Sequence, residues 1–319
     1  MKLPVAIINF LYLFAGIIAC LQSPQLLAQR GATQSYNFST ISFQHLTTAN
    51  GLSYGRVYDI CTDKLGNTWI ATGNGLNMFN GKTVTKYYVA DYPQLISNTI
   101  TQVICDKNNR IWVLTDKQNV TMIDEQRHLH RVALQQNKAA VKTKALLCTK
   151  SSGAVLLTEN GHYVYNNKTH PGINDSLGQQ YFSLLPVTNF DTLQPKKYKH
   201  RFKFDDDRYF FSQDTVLFVV NYQTKQVEKK CTIPYGNLLI KWDEESVLLC
   251  NVKQRKLQIV NISTGAVSDL NDNLKDQFGK TPGDYFVYAE KLNSYEYLLA
   301  TVKSGIYIYN RQTNALYNY

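Results

Sequence analysis

The feature that most constrains this chain is a repeat of 43 residues. Val57 to Thr72 reads VYDICTDKLGNTWIAT, and Ile100 to Thr115 reads ITQVICDKNNRIWVLT. Asp63, Trp69 and Thr72 recur as Asp106, Trp112 and Thr115, each 43 positions on. A third copy, ALLCTKSSGAVLLT, runs from Ala145 to Thr158, with Thr158 another 43 residues beyond Thr115. Each copy opens on a short apolar strand that stops at Asp63 or Asp106. An aspartate at the first turn position bonds the backbone ahead of it, and Gly66 suits the fourth position of a type I turn. Trp69–Thr72 and Ile111–Thr115 then read as second strands. Gly73-Asn74-Gly75 is the next turn, Leu76–Phe79 a third strand and Thr83–Tyr88 a fourth, with Asn80-Gly81 as the hairpin between them. Four antiparallel strands in about 43 residues make one blade of a β-propeller.

The later copies are eroded. Arg208–Lys229, Leu238–Leu270 and Tyr285–Tyr317 keep the strand–turn rhythm, and Asn221, Asn261 and Asn310 each open the last turn of a blade. The expected fold is all-β, with about six blades near residues 50–90, 95–135, 140–186, 198–231, 236–271 and 283–319. An extra strand, Ile41–Leu46, precedes them. The ring is either six-bladed and closed or an incomplete seven-bladed one, because the strand at Ala315–Tyr319 already fills the outer place of the sixth blade. A truncated ring would expose apolar blade faces.

Export follows from the N-terminus. Lys2 provides a positive start, Val5–Cys20 is almost wholly apolar, and Ser23-Pro24 breaks the run before Ala28. That is the pattern of a cleaved signal peptide, residues 1–28, and the apolar run falls short of a span of about 20 residues. Residues 29–40 read as a linker to a propeller domain over 41–319. Ile17-Ile18-Ala19-Cys20 also resembles a relaxed bacterial lipobox, which would make Cys20 a lipidation site. Five further cysteines, Cys61, Cys105, Cys148, Cys231 and Cys250, lie in or beside apolar runs without CxxC spacing, as buried thiols would. The net charge of +10 raises the question of nucleic acid. The basic residues are scattered, however. The one dense run, Lys196–Arg201 with Lys203, is offset by Asp205-Asp206-Asp207, so no nucleic-acid partner is expected.

Phe43, Leu46-Thr47-Thr48, Gly51-Leu52-Ser53, Val57, Ile60, Asp63, Gly66, Trp69–Thr72, Gly75-Leu76-Asn77, Phe79 and Gly81 together resemble the two-component regulator propeller family. Ser97-Asn98, Ile100, Val103, Asp106, Trp112 and Thr115 repeat the pattern, although Gln118-Asn119 replace its Gly-Leu. The resemblance implies the periplasmic sensor region of a histidine kinase, responsive to a glycan or other solute. Its implied partners are a small-molecule or glycan ligand, a histidine-kinase module in the same or a neighbouring chain, and a second copy in a homodimer. No kinase motif stands in these 319 residues. The reading is therefore a non-catalytic, extracytoplasmic ligand-binding propeller, the front part of such a kinase or a truncated relative. The alternative is a secreted propeller enzyme acting on polysaccharide.

Each candidate site residue also has a structural role to fill. Trp69 and Trp112 offer stacking faces for a sugar, yet their fixed place in the repeat marks core aromatics. Asp63 and Asp106 resemble a carboxylate pair, yet both occupy turn positions. His128 and His130 share a strand face without an evident third metal ligand. Gly73-Asn74-Gly75 is a hairpin with no helix after it. Asn37, Asn119, Asn167, Asn174 and Asn261 head sequons that matter only in a eukaryotic secretory path. His45, His128, His130, His162, His170 and His200 do not follow the repeat. No catalytic residue, metal site or cofactor is expected, and the ligand-contacting residues are not fixed by the sequence.

Overall fold

In the computed structural model each repeat becomes one four-stranded antiparallel sheet whose strands lie in chain order. The described residues are 45–318, apart from 137–138, 151–152, 159–160, 167–175, 186–199, 271–285, 204, 214, 225, 235, 252 and 255. The residues expected to form the signal peptide and linker, Cys20, most of the expected Ile41–Leu46 strand and most of the basic run fall outside them, as do Asn37, Asn167, Asn174 and His170. Among the described residues no helix is long and apolar enough to cross a membrane.

Blade 1 holds β1 (Val57–Thr62), β2 (Thr68–Thr72), β3 (Gly75–Phe79) and β4 (Val84–Tyr87). Blade 2 holds β5 (Ile100–Cys105), β6 (Ile111–Thr115), β7 (Val120–Ile123) and β8 (Leu129–Arg131). A short hairpin of β9 (Gln135–Gln136) and β10 (Ala139–Ala140) follows. Blade 3 is β11 (Thr143–Thr149), β12 (Gly153–Thr158), β13 (Gly161–Tyr165) and β14 (Phe182–Leu185). Blade 4 is β15 (His200–Lys203), β16 (Arg208–Gln213), β17 (Val216–Asn221) and β18 (Gln226–Thr232). Blade 5 is β19 (Asn237–Lys241), β20 (Ser246–Asn251), β21 (Lys256–Asn261) and β22 (Val267–Asp269). Blade 6 is β23 (Phe286–Lys291), β24 (Glu296–Thr301), β25 (Ile306–Asn310) and β26 (Ala315–Asn318). The six sheets succeed one another around a ring, making a six-bladed β-propeller.

The turn chemistry read from the sequence is present. Asp63 Oδ1 accepts the backbone N–H of Leu65 and of Asn67, both at 2.9 Å. Asp106 does the same for Asn108 and Arg110. Gly66 closes the first of these turns at φ +83°, where a Cβ would be strained. The turn after the third strand uses an asparagine in the same way in blades 1, 4, 5 and 6: Asn80, Asn221, Asn261 and Asn310 each accept two N–H groups ahead of them.

Five of the six inner strands carry a bulge near their start, four of them opposite the end of the second strand: Val57/Asp59, Ile100/Gln102, Thr143/Ala145 and Phe286/Tyr288, with Leu238/Ile240 set slightly further in. The extra residue shifts the alternation of side chains, so the residue after it faces the next blade. Alternate faces of each sheet then pack on the blades before and after. Separate apolar clusters join blades 1 and 2, 2 and 3, 3 and 4, 4 and 5, and 5 and 6.

Among the described residues no such cluster joins blade 6 to blade 1. Ile60 is 61% exposed, whereas Val103, at the same place in blade 2, is 1% exposed. Tyr58, Tyr288 and Tyr317 are also exposed. Leu298, which stands where blades 1 and 2 carry a buried tryptophan, is only half-buried. The outer part of the free face of blade 1 is covered instead by the chain leading into it. Leu52 is buried there, Ser53 N–H donates to Asn77 Oδ1 at 2.9 Å, and Asn77 donates back to the Ser53 hydroxyl at 2.7 Å.

Candidate functional site

The residues singled out by sequence are mostly parts of the scaffold. Trp69 and Trp112 are fully buried, and each indole N–H donates to the carboxylate six residues before it, Asp63 or Asp106, at 3.0 Å. A turn-capping aspartate thus doubles as the acceptor for a core indole, a link that turn reasoning alone does not reveal. Asp63 also takes a bond from the Arg127 guanidinium at 2.9 Å, which lies 4.9 Å over the Trp69 ring from the neighbouring blade. Burial alone would raise the Asp63 carboxyl. Bonds from Asn67, Trp69 and Arg127 outweigh it and hold the group well below the usual carboxylate range.

The same device recurs elsewhere with other residues. Arg311 of blade 6 lies 4.9 Å over Trp242 of blade 5 and 3.7 Å from Asp243. Tyr222 of blade 4 stacks on His162 of blade 3, with its hydroxyl 3.2 Å from Nδ1. Burial of that imidazole pushes His162 down to about 4. Gly73-Asn74-Gly75 is a turn held by Thr72, whose hydroxyl donates to the Gly75 carbonyl at 2.7 Å.

The histidine pair needs a correction. His128 precedes β8 and His130 lies in it, and both ring nitrogens reach one oxygen, Asp124 Oδ2, at 3.2 and 3.0 Å. Asp124 is the missing third polar group, supplied by the turn before β8. Among the described residues no group of three or more histidine, cysteine or acidic side chains is arranged to hold a metal ion. The cysteines need one too. Cys250 is a core residue, but Cys61, Cys105, Cys148 and Cys231 are only half-buried.

Two pockets remain. The first, about 390 Å³, is framed by the inner strands of blades 1 to 3 and by Tyr209. Its polar groups are committed to holding blades together. Asp59 accepts the Val103 N–H at 3.0 Å. Gln102 accepts the Leu146 N–H at 2.8 Å and donates to the Leu146 carbonyl at 2.9 Å. The Tyr209 hydroxyl takes the Cys148 N–H and donates to the Cys148 carbonyl. Asp59 and Gln102 are the residues set facing the next blade by their bulges. In blade 6 that place belongs to Tyr288, whose hydroxyl donates to Glu290 of its own strand.

The second pocket, about 580 Å³, lies on blade 5 and is lined by Pro234, Asn251, Gln254, Gln258, Val267 and Asp269. Here the polar side chains bond one another. Asn251 donates to Gln254 at 3.1 Å and to Gln258 at 3.3 Å, and Gln258 donates to Asp269 at 2.7 Å. Lys256 bonds the other Asp269 oxygen and, with Gln258, lowers that carboxyl. Amides and a carboxylate in one row present both donors and acceptors, the chemistry that binds a hydroxyl-rich solute. Sequence reasoning missed this row because its members lie on three strands and the turn between two of them.

The family model described as two component regulator propeller matches residues 51–74 and 94–117, in the first two blades. No curated protein matches the chain. Among solved structures, the extracellular domain of a protein described as a hybrid two-component system from B. thetaiotaomicron is similar, with 18% identity and a TM-score of 0.58 over 85% of this chain. A second B. thetaiotaomicron extracellular domain, described as belonging to a one-component system, gives 13% identity and a TM-score of 0.59 over 87%. Virginiamycin B lyase from Staphylococcus aureus, solved with quinupristin, gives 11% identity and a TM-score of 0.54 over 86% of each chain. At these identities the likeness is one of fold. The chain spans 36% and 38% of the two B. thetaiotaomicron domains.

Proposed function

Starting from a propeller whose first two blades carry two-component regulator repeats, we propose that the protein is a non-catalytic, extracytoplasmic binding module whose ligand is a small hydroxyl-rich solute, such as a short glycan. The observation that carries the reading is the blade 5 pocket, where Asn251, Gln254, Gln258 and Asp269 form one continuous row of donors and acceptors. A neutral sugar exchanges its hydroxyls into such a row without bringing a charge to be desolvated. Two-component repeats and extracellular relatives support a sensing role, coupled to a histidine-kinase module in the same or a neighbouring chain. The alternative, a secreted enzyme acting on polysaccharide, has only the fold-level likeness to the lyase behind it and is not favoured.

Titration calorimetry of the full chain against a panel of neutral mono- and oligosaccharides tests this. The reading expects at least one to bind, with affinity falling about tenfold or more in Gln254→Ala while the urea midpoint stays put. Binding that is untouched by Gln254→Ala and Gln258→Leu, or no binding across the panel, contradicts it.

A further inference from the structure

We propose that Cys61 and Cys105 form a reversible disulfide that staples blade 1 to blade 2 along the wall of the inner pocket. Each thiol lies on the face of its sheet that packs against the other's blade. Cys61 sits opposite Trp69 in the sheet and points toward blade 2, whereas Cys105 sits opposite Ile111 and points toward blade 1. Both pack against the apolar cluster between those blades, and both line the 390 Å³ pocket.

Two cross-blade bonds bracket the pair. On one side the Asp59 carboxylate accepts the Val103 N–H, and those residues are 44 apart in the chain, as Cys61 and Cys105 are. On the other side the Lys64 N–H donates to Asn109 Oδ1 at 2.7 Å, and the Cys105 thiol lies 3.8 Å from that same oxygen. The inner strands are therefore pinned in register two residues before the cysteines and a few residues after them. That sets the two cysteines at matching places on adjacent inner strands, the setting from which a disulfide can form. Charge coupling agrees: after burial, Cys105 is the largest influence raising the Cys61 thiol.

Cys148 repeats the place of Cys105 in blade 3, lines the same pocket and raises both thiols, so it is the competing partner that the experiment must separate. A replacement of Cys61 by an apolar residue, as at Ile104, would have kept the packing. The thiol adds oxidation chemistry at a place where packing does not call for it.

The reaction balances with a disulfide as oxidant, either a small molecule such as oxidised glutathione or an exchange oxidase of the export compartment. The thiolate of one cysteine attacks the oxidant and expels one of its thiolates. The second cysteine then displaces the other, leaving one protein S–S bond and two reduced thiols. Burial raises Cys105 to about 11, so both groups are protonated at neutral pH and the reduced form persists until such an oxidant arrives.

Trypsin places the three cysteines on separate peptides: Val57–Lys64, Tyr87–Lys107 and Ala145–Lys150. The experiment incubates the full chain with oxidised glutathione, blocks remaining thiols, and maps peptides without reduction. The expected product links Val57–Lys64 to Tyr87–Lys107, disappears with dithiothreitol, and forms equally in Cys148→Ser. A link through Ala145–Lys150, or glutathione left on Cys61 and Cys105 with no cross-link between them, overturns the proposal. The wild-type map decides the matter even if Cys61→Ser or Cys105→Ser folds poorly.

Discussion

At the junction of blades 1 and 2, Ile100 and Val103 are buried in one cluster with Trp69, Leu76 and Val113. At the seam between blades 6 and 1, the residues in the matching places, Val57 and Ile60, are exposed. The polar devices differ in the same way. Asp59 and Gln102 cross to the backbone of the next blade, whereas Tyr288 turns to Glu290 on its own strand. Arg127 and Arg311 reach back onto the aromatic ring of the blade before, whereas the matching turn of blade 1 holds the exposed Gly81 and Lys82. One repeat sequence thus supports both a packed and an unpacked junction. What separates them is whether an apolar face meets another, since propeller blades gain stability mainly from neighbours.

The largest effect is expected inside the packed junctions. Trp112→Ala should cost about 3–5 kcal/mol in urea unfolding, because it removes a fully buried aromatic and leaves Asp106 without its indole donor. Leu298→Ala, at the same place in blade 6, should cost about 1–2 kcal/mol, because that side chain faces the seam half-solvated. Equal losses would erase the distinction between the two junctions.

Next in size is Asp63→Ala. It strips the indole and the Arg127 guanidinium of their acceptor and should cost about 3 kcal/mol. The depressed Asp63 carboxyl also gives a pH signature. Its contribution is complete above the unfolded carboxylate value of about 4 and is lost as pH falls below that. Asp63→Asn should therefore flatten the acid limb of the stability curve below about pH 4. An unchanged limb would show that the bonds from Asn67, Trp69 and Arg127 do not hold the Asp63 carboxyl low.

A smaller difference separates the polar clamps. Gln102→Ala leaves the Leu146 N–H and carbonyl without their partner and should cost about 1–3 kcal/mol. Tyr288→Phe removes an exposed bond to Glu290 and should change stability by less than about 0.5 kcal/mol.

Much of this fold is legible in the sequence, because each blade is built from local contacts. Asp63, Gly66, Trp69 and Asn80 act within one blade, and the 43-residue spacing exposes the pattern. Blades 4 to 6 are fainter because the Asp–Trp pair is gone and only the asparagine turns and apolar strands remain. What joins blades is not legible. Arg127 lies 64 residues from Asp63. The bulges that turn Asp59 toward one blade and Ile60 toward another break the simple alternation by which strand faces are read. The blade 5 row escaped for the same reason, since Asn251, Gln258 and Asp269 become neighbours only through strand register.

The most direct test places the same charge at the same repeat position on each side of the comparison, Ile60→Asp at the seam and Val103→Asp in the packed junction, and measures urea unfolding of both. The account predicts that Ile60→Asp stays within about 0.5 kcal/mol of the parent, as exposed positions do, while Val103→Asp loses more than about 3 kcal/mol or fails to fold. Comparable losses in the two variants would mean that blades 6 and 1 pack as tightly as blades 1 and 2, and would contradict it.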